Sequence, residues 1–425
     1  MAALLLGTLF VLLAFNVPIA FSVGLASVFT VWLKMPIPTM MIAQKMYAGV
    51  NSFPLMAIPL YVLAGVLMQE GKIMVRLIRF AKSIIGFVRG GIGMASVLAA
   101  MFFAGVSGSS IADTAAVGSL LIPEMKKDGY GESFPTALVA SAGTIGGIIP
   151  PSIAMILYGV VAEQSIAKLF LGGAIPGVLI GLSFMIICYF YSRKHKLPAG
   201  APPRIREIVV SFLHSLLPLG LPLVIVGGIL TGVFTATEAG VIAVFYALIL
   251  SLLVYRTIRI RELPKLILKY AMISAVPVLV IATASFFAYL MAIAEVPQIL
   301  YRAVTQVSQS PYIILLVINV GILIIGTFME AAPVYPILVP ILLPVVTSMG
   351  MSPIHFGVVM VVALSIGLIT PPVGVCLFTA CSVAEVPISR VIGRLVPFII
   401  AETAILFLIT YVPPLVMTLA NMVGR

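Results

Sequence analysis

The sequence is poor in charge. Asp, Glu, Lys and Arg make up 9% of its 425 residues, whereas 62% are hydrophobic, and the mean hydropathy is +1.25. Soluble domains carry about 25% charged residues. The deficit excludes an ordinary soluble domain and indicates a helical chain that crosses a bilayer many times. Polar–apolar alternation is also missing, for example over residues 4–13 and 358–363, which excludes a membrane β-barrel. Cysteine is scarce. Cys188, Cys376 and Cys381 lie in apolar segments without metal or redox spacing and read as small buried residues. No His/Asp/Glu set and no Ser–Lys pair falls at membrane depth, so an intramembrane enzyme is disfavoured. A cleavable leader is not expected either, because Met1–Phe15 has no basic start and reads as the first span.

What charge there is has an order. The net charge is +11, and 19 of the 24 Lys and Arg fall at 72–89, 126–127, 193–206, 256–269 and 390–394. Positive charge collects in cytoplasmic loops. The clusters therefore read as topology markers rather than as a nucleic-acid surface. Lys34, Lys45, Lys168, Arg302 and Arg425 fall in the segments between them. Apolar segments occur at about 2–15, 18–33, 53–70, 91–122, 133–165, 170–192, 215–232, 235–255, 271–295, 311–349, 353–383 and 396–420, with an indistinct boundary at Asn16-Val17-Pro18. Residues 91–122 have basic clusters at both ends, so they enter and leave on one side as a re-entrant hairpin. Residues 311–349 do the same from the other side. The expected fold is all-α, with about ten transmembrane helices, two opposed re-entrant hairpins and both termini outside. Basic residues at helical spacing over 72–89 and again over 256–269 predict two amphipathic surface helices. Residues 194–206 form a polar, Pro-rich linker near the middle of the chain.

The halves share landmarks. Asp113 corresponds to Glu330, Pro123 to Pro340, Pro150-Pro151 to Pro371-Pro372, Glu163 to Glu385 and Pro176 to Pro397. Each half then has five crossings and a hairpin, and an odd number of crossings inverts the second half. Inverted repeats with discontinuous helices are characteristic of secondary transporters. A helix broken at mid-membrane exposes free carbonyls and free N–H groups, which must find partners in hydrocarbon. A hard cation such as Na⁺ suits oxygen ligands, and a half-helix N-terminus suits an anion. Ser107, Ser109, Ser110 and Thr144 offer hydroxyls in the first half. Gly326, Thr327, Ser365, Gly367 and Thr370 offer hydroxyls or exposed carbonyls in the second. No Lys or Arg occurs over 90–125, 128–167 or 303–389, so an anionic substrate there would be balanced by bound cations and helix ends. Small residues also serve plain helix packing. The acids Asp113 and Glu330 read as caps of the second hairpin arms, with cation ligation and proton carriage as alternatives. Glu238 in "FTATEAG" reads as a helix cap, and His355 as an interfacial residue near a helix start.

The run "SGSSIADTAAVGS" with the following "IPEM" and "GY", together with "GTIGGIIPPS", "FTATEAG" and "GLITPPVG", resembles the large membrane subunit (DctM-like) of the TRAP (tripartite ATP-independent periplasmic) transporters over essentially the whole chain. Within that family the sialic-acid branch is the nearest likeness. The resemblance implies a multi-pass protein of the bacterial inner membrane with an elevator-type fold. It implies Na⁺-coupled import of an organic acid, of sialic acid or C4-dicarboxylate type, with no other cofactor and no enzymatic activity. The partners implied are a periplasmic substrate-binding protein and a small four-helix membrane subunit, expected as a separate polypeptide. One Na⁺ site would lie between Ser107, Gly108, Ser109, Ser110 and Gly143, Thr144, Gly147, Pro150. A second would lie between Gly326, Thr327 and Gly367, Thr370. Substrate would meet Ser109, Ser110, Thr144, Thr327 and Pro371 between the hairpin tips. The implied division is scaffold helices over 1–71, an amphipathic arm over 72–90, and the first hairpin, broken helix and following span over 91–192. A cytoplasmic linker follows over 193–214, then scaffold helices over 215–255, a second arm over 256–269 and a scaffold span with its loop over 270–310. The second hairpin, broken helix and last span fill 311–425. The rival readings are an autonomous Na⁺/dicarboxylate symporter and a proton-coupled transporter using Asp113 and Glu330; a channel fits opposed hairpins less well.

Overall fold

The computed structural model describes residues 1–422 apart from residues 16, 36, 37, 72, 201, 203 and 330. The expectations for Glu330, Lys72, Arg425 and the Asn16 boundary thus lie outside the described residues. Along the described chain the regular structure is helical, and β-pairing is limited to one isolated bridge between Arg89 and Ala199. The first helices are α1 (Ala2–Ala14), α2 (Ile19–Lys34), α3 (Thr39–Val50) and α4 (Ala57–Glu70), the last entered through a 3₁₀ turn at Phe53–Met56. Helix α5 (Ile73–Ile85) buries Ile73, Met74, Leu77, Ile78 and Ala81 and turns Arg79 outward. This is the amphipathic helix expected from the basic spacing.

A helical hairpin follows, α6 (Gly91–Ser107) and α7 (Ser110–Lys127). Gly108 makes the turn at φ +62°, a left-handed conformation that suits a residue without Cβ. The next two helices, α8 (Ser133–Thr144) and α9 (Ile153–Val161), are separated by a 3₁₀ turn at Ile145–Gly147 and the double proline. Proline has no N–H to continue a helix; the chain breaks here and restarts where the Ser152 hydroxyl caps α9, accepting from Met155 N at 3.1 Å. Ser165 caps α10 (Ile166–Lys194). Then come α11 (Ile205–Leu230) and α12 (Ala236–Leu248), which ends in a π-helical turn over Ile249–Val254. Glu238 caps α12 with Thr235. Thr235 N donates to Glu238 Oε2 at 2.8 Å, and Glu238 N donates to Thr235 Oγ1 at 3.2 Å.

In the second half lie α13 (Leu263–Ile293), α14 (Val296–Val307) and a second hairpin, α15 (Pro311–Phe328) with α16 (Ala331–Ser348). The chain continues through α17 (Pro353–Gly367), α18 (Val375–Ala384), α19 (Ile388–Tyr411) and α20 (Pro414–Ala420). The second double proline falls between α17 and α18, and both Pro150–Pro151 and Pro371–Pro372 have a cis bond.

Two segments differ from the sequence expectation. The surface helix expected over 256–269 is not a separate element. A short 3₁₀ turn at Ile260–Glu262 runs directly into α13. Pro264 sits in the first turn of α13, where its missing N–H is harmless. Beyond it no Gly or Pro interrupts the chain before Pro277, so the basic stretch becomes the first turns of one long helix. The second strongly amphipathic helix is α14, just before the second hairpin, as α5 is just before the first. The linker expected over 193–214 is also shorter, because α11 begins at Ile205.

Among the described residues, seven helical stretches are long and apolar enough to cross a membrane: Phe53–Glu70, Ile166–Lys194, Ile205–Leu230, Ala236–Val254, Ile260–Ile293, Pro311–Phe328 and Ile388–Tyr411. Helices α1 and α2 are shorter, and two further apolar segments are split at their middles into α8/α9 and α17/α18. The hairpins, the split helices, α10 and α19 pack into one apolar core, which also takes in α4, α5, α11 and α12. Helices α1, α2 and α13 build a second cluster, which reaches the second hairpin at Ile337 and Ile341. The first break thus lies inside protein, with Pro150, Pro151 and Ser152 buried, as irregular backbone at membrane depth requires, whereas Pro372 and Val373 at the second break are exposed on the protein surface.

Candidate functional site

The first hairpin tip and the first break meet through backbone and hydroxyl groups. Gly108 O accepts Ile153 N at 3.2 Å. The Ser152 hydroxyl donates to Gly147 O at 2.5 Å, and Ser110 Oγ donates to Thr144 O at 3.3 Å. The break therefore closes onto the tip, with Ser107, Gly108, Ser109, Ser110, Gly143, Thr144 and Gly147 in one cluster.

Asp113 lies in this cluster and is fully buried. It is not the cap of α7. That role belongs to Ser109, whose hydroxyl accepts Ala112 N at 3.4 Å. Asp113 is one turn further along, and its carboxylate accepts the Ser107 hydroxyl from the opposite arm. The capping expectation fails for a geometric reason: a first-turn side chain on the inner face points across the hairpin, not back along its own axis. Among the described residues Asp113 Oδ2 has no hydrogen-bond partner. It faces Gly146, where an added Cβ would collide with Oδ2 and lie 3.0 Å from Ser109 O. A carboxylate oxygen and a carbonyl oxygen thus converge on a glycine-lined space. Buried acids at membrane depth are costly unless paired. A hard cation takes oxygen ligands of this kind.

The second tip and break meet in a related way. Thr327 O accepts Val373 N at 3.1 Å. Gly326 and Gly367 pass backbone against backbone, so that a Cβ on Gly367 would strike the Gly326 carbonyl. Thr327 Oγ1 donates to Ile324 O and Thr370 Oγ1 to Ile366 O, each at 2.7 Å. Each hydroxyl has its proton committed and its oxygen still able to accept or ligate.

A cavity of about 110 Å³ lies between the first cluster and helices α16 and α17. Gly108, Ser109, Ser110 and Gly147 line one side; Tyr335 and Ser365 are on the other. Of the residues expected at the substrate, Ser109 and Ser110 face this space. Thr144, Thr327 and Pro371 do not line it. The Thr144 hydroxyl turns the other way, 3.1 Å from Glu402 Oε1 and 2.7 Å from Ser141 O.

Two residues that the sequence did not single out belong here. Tyr335 is fully buried and lines the cavity, its ring edge-on to Tyr158, and its hydroxyl has no partner among the described residues. Glu402 on α19 is fully buried behind the break, and its Oε2 has no partner. His355 is buried rather than interfacial, with Nε2 2.7 Å from Ile409 O on α19.

Comparison with protein families finds one match, to the DctM component of the tripartite ATP-independent periplasmic transporters, over residues 6–415. The chain belongs to this family. It is 40% identical over 403 residues to the C4-dicarboxylate TRAP transporter large permease protein DctM of Pseudomonas aeruginosa, covering 95% of this chain and 94% of that one. It is 41% identical to the isethionate TRAP transporter permease protein DctMQ of Oleidesulfovibrio alaskensis, covering 98% of this chain and 66% of that one. A sialic acid TRAP transporter large permease protein, SiaM of Vibrio cholerae, is 34% identical over 89% of each chain. Among solved structures, the YdaH transporter of Alcanivorax borkumensis superposes with a TM-score of 0.64 at 15% identity over 87% of both chains, a likeness of fold. The protein is a multi-pass TRAP large permease, and its relatives are permeases rather than enzymes.

Proposed function

We propose that this permease imports a small organic anion across the bacterial inner membrane, driven by Na⁺. The anion would be received from a periplasmic substrate-binding protein, and the permease would work with a small membrane subunit. The family supports the tripartite assembly. The observation that carries the coupling is the Asp113 carboxylate, buried at the tip of α7 with one oxygen held by Ser107 and the other directed at Gly146. The first Na⁺ site would be built from Asp113, Ser109 O and the hydroxyls of Ser107 and Ser110. The second would use Gly326, Thr327, Gly367 and Thr370. The anion would occupy the cavity between the tips, with Ser109, Ser110 and Tyr335 as donors. No Lys or Arg is supplied by 90–125, 128–167 or 303–389, so the cations would supply the balancing charge.

The two halves read as inverted repeats of ten crossings and two opposed hairpins. The hairpin bundle would move as an elevator past α1–α4 and α11–α13. Helices α5 and α14, each just before a hairpin, fit the two arms better than 256–269 does. The relatives named for C4-dicarboxylates and isethionate are more similar than the one named for sialic acid, which favours a small carboxylate or sulfonate. A second reading is proton coupling, favoured by the two buried acids Asp113 and Glu402.

The deciding experiment is uptake into proteoliposomes holding the permease with its small subunit. An inward Na⁺ gradient is imposed, with and without the binding protein, using succinate, isethionate and sialic acid. Uptake that needs both Na⁺ and the binding protein is expected. Uptake by the membrane part alone indicates an autonomous symporter, and uptake driven by a pH gradient without Na⁺ indicates the proton reading.

A further inference from the structure

A cavity of about 620 Å³ opens far from the hairpin tips, between α5 and the start of α11. Arg79, Lys82, Arg204 and Arg206 line it, with Glu207 as the opposing acid. Lys82 is engaged by Glu124 of α7. Among the described residues Arg79, Arg204 and Arg206 have no ion pair and are exposed. Arg76, on the same helix, is occupied elsewhere, over the Tyr255 ring at 3.6 Å. Three guanidinium groups outside any ion pair among the described residues therefore share one cleft with a single acid, Glu207. Such a group forms planar, paired hydrogen bonds to phosphate oxygens.

The walls of the cleft are fixed rather than floppy. Ser83 Oγ and Ser211 Oγ are 2.7 Å apart, and Ser215 Oγ donates to the Arg76 carbonyl at 3.0 Å. Val210 of α11 lines the cleft beside the basic residues and is exposed, and the adjoining face of the helix is apolar and exposed too. Ile205 is 81% exposed, Leu213 59%, and Val209 and Leu216 are also exposed. At about 1.5 Å per residue this face extends the length of several turns. A soluble anion has no use for such a wall. A phospholipid has both parts, an anionic headgroup for the arginines and acyl chains for the helix face.

We propose that this cleft is a binding site for an anionic phospholipid headgroup. A bound lipid bridges α5 and α11 and holds the first amphipathic helix against its neighbour. This site stands apart from the transport reading and rests only on the chain being a membrane protein.

The test is native mass spectrometry of the full permease with its small subunit in detergent, titrated with dioleoylphosphatidylglycerol. Dioleoylphosphatidylcholine and inorganic phosphate serve as separate arms. Phosphatidylglycerol is expected to bind saturably and the other two to bind far less. Each exposed arginine near an anionic lipid contributes about fivefold in affinity. The triple variant R79Q/R204Q/R206Q should then lose roughly two orders of magnitude. The single variant R206Q removes no internal contact and should lose about fivefold even if the triple variant does not fold. R204K/R206K keeps the charge without the paired hydrogen bonds and should bind more weakly than the parent but more tightly than the triple variant, and K265Q/K269Q, in the other basic stretch, should not affect binding. The proposal is overturned if R206Q and the triple variant bind phosphatidylglycerol like the parent. It is also overturned if inorganic phosphate competes fully with the lipid, which would make the cleft a soluble-anion site.

Discussion

The Ser107 hydroxyl donates to the Asp113 carboxylate across the turn of the first hairpin, joining the last residue of α6 to the first turn of α7. The bond leaves Oδ2 of the same carboxylate without a partner, directed at Gly146. If that oxygen holds the coupling cation, Asp113→Asn keeps the Ser107 contact and loses the charge. The expected result is normal expression with half-saturation by Na⁺ raised at least about tenfold, since a charge-assisted contact contributes roughly 1.5–3 kcal/mol. Uptake measured against Na⁺ concentration checks this. An unchanged Na⁺ dependence would remove Asp113 from the site.

Gly146→Ala probes the same space without touching a ligand's chemistry. Its methyl group would collide with Asp113 Oδ2 and lie 3.0 Å from Ser109 O. The substitution should impair Na⁺-dependent uptake more severely than it lowers thermal stability. Overpacking costs about 1–3 kcal/mol, and here the strain falls on the oxygens proposed to bind the ion. Equal losses in stability and uptake would mean that Gly146 serves packing alone.

These elements were unequally legible in the sequence. The hairpin and the two breaks could be read because Gly108, Pro150-Pro151 and Pro371-Pro372 act locally, by backbone geometry and missing donors. The serines could be read because hydroxyls are conspicuous in apolar surroundings. Glu402 could not. Its partner Thr144 is 258 residues away in the chain, and nothing near it in sequence marks it as more than one acid in an apolar span. Tyr335 was hidden for the same reason, facing a cavity that exists only when the two hairpins meet. The second amphipathic helix was misplaced because charge spacing over 256–269 imitates a surface helix. The real one, α14, has one basic residue among its twelve, Arg302.

Tyr335→Phe removes one oxygen from the wall of the central cavity and leaves the ring against Tyr158. A buried hydroxyl without a protein partner contributes nothing to the resting fold, so stability should hold or rise slightly. A hydrogen bond to an anionic substrate contributes roughly 1.5–3 kcal/mol. The half-saturating substrate concentration should therefore rise about tenfold or more while Na⁺ dependence is preserved. An unchanged value would show that Tyr335 does not contact the substrate.

Glu402 separates two roles by two substitutions. Glu402→Ala leaves a hole in the core and deprives Thr144 Oγ1 of its contact at 3.1 Å. Stability in detergent should fall by about 2–4 kcal/mol. Glu402→Gln fills the same volume and keeps a hydrogen-bonding oxygen, so stability should fall by less than about 1 kcal/mol. If the residue is structural, Na⁺-driven uptake survives in the Gln variant. If it is a proton carrier, uptake driven by a pH gradient fails in that variant although the protein is as stable as the parent.

The elevator reading requires the hairpin bundle to slide past its neighbours, and α6 against α11 is a place to stop it. A Cβ built on Gly105 of α6 lies 3.1 Å from the Pro222 Cβ of α11. Disulfides need Cβ atoms roughly 3.5–4.5 Å apart, a distance reached by a small relaxation. The native Cys188, Cys376 and Cys381 are buried and free, so they must be replaced first. In that background the pair Gly105→Cys and Pro222→Cys should cross-link under mild oxidation. Uptake should then be abolished and should return on reduction, while the Pro222→Cys single variant, which adds no clash at Gly105, leaves it intact. Full uptake by the cross-linked protein would mean that α6 and α11 move together, and the moving body would have to be drawn elsewhere in the fold.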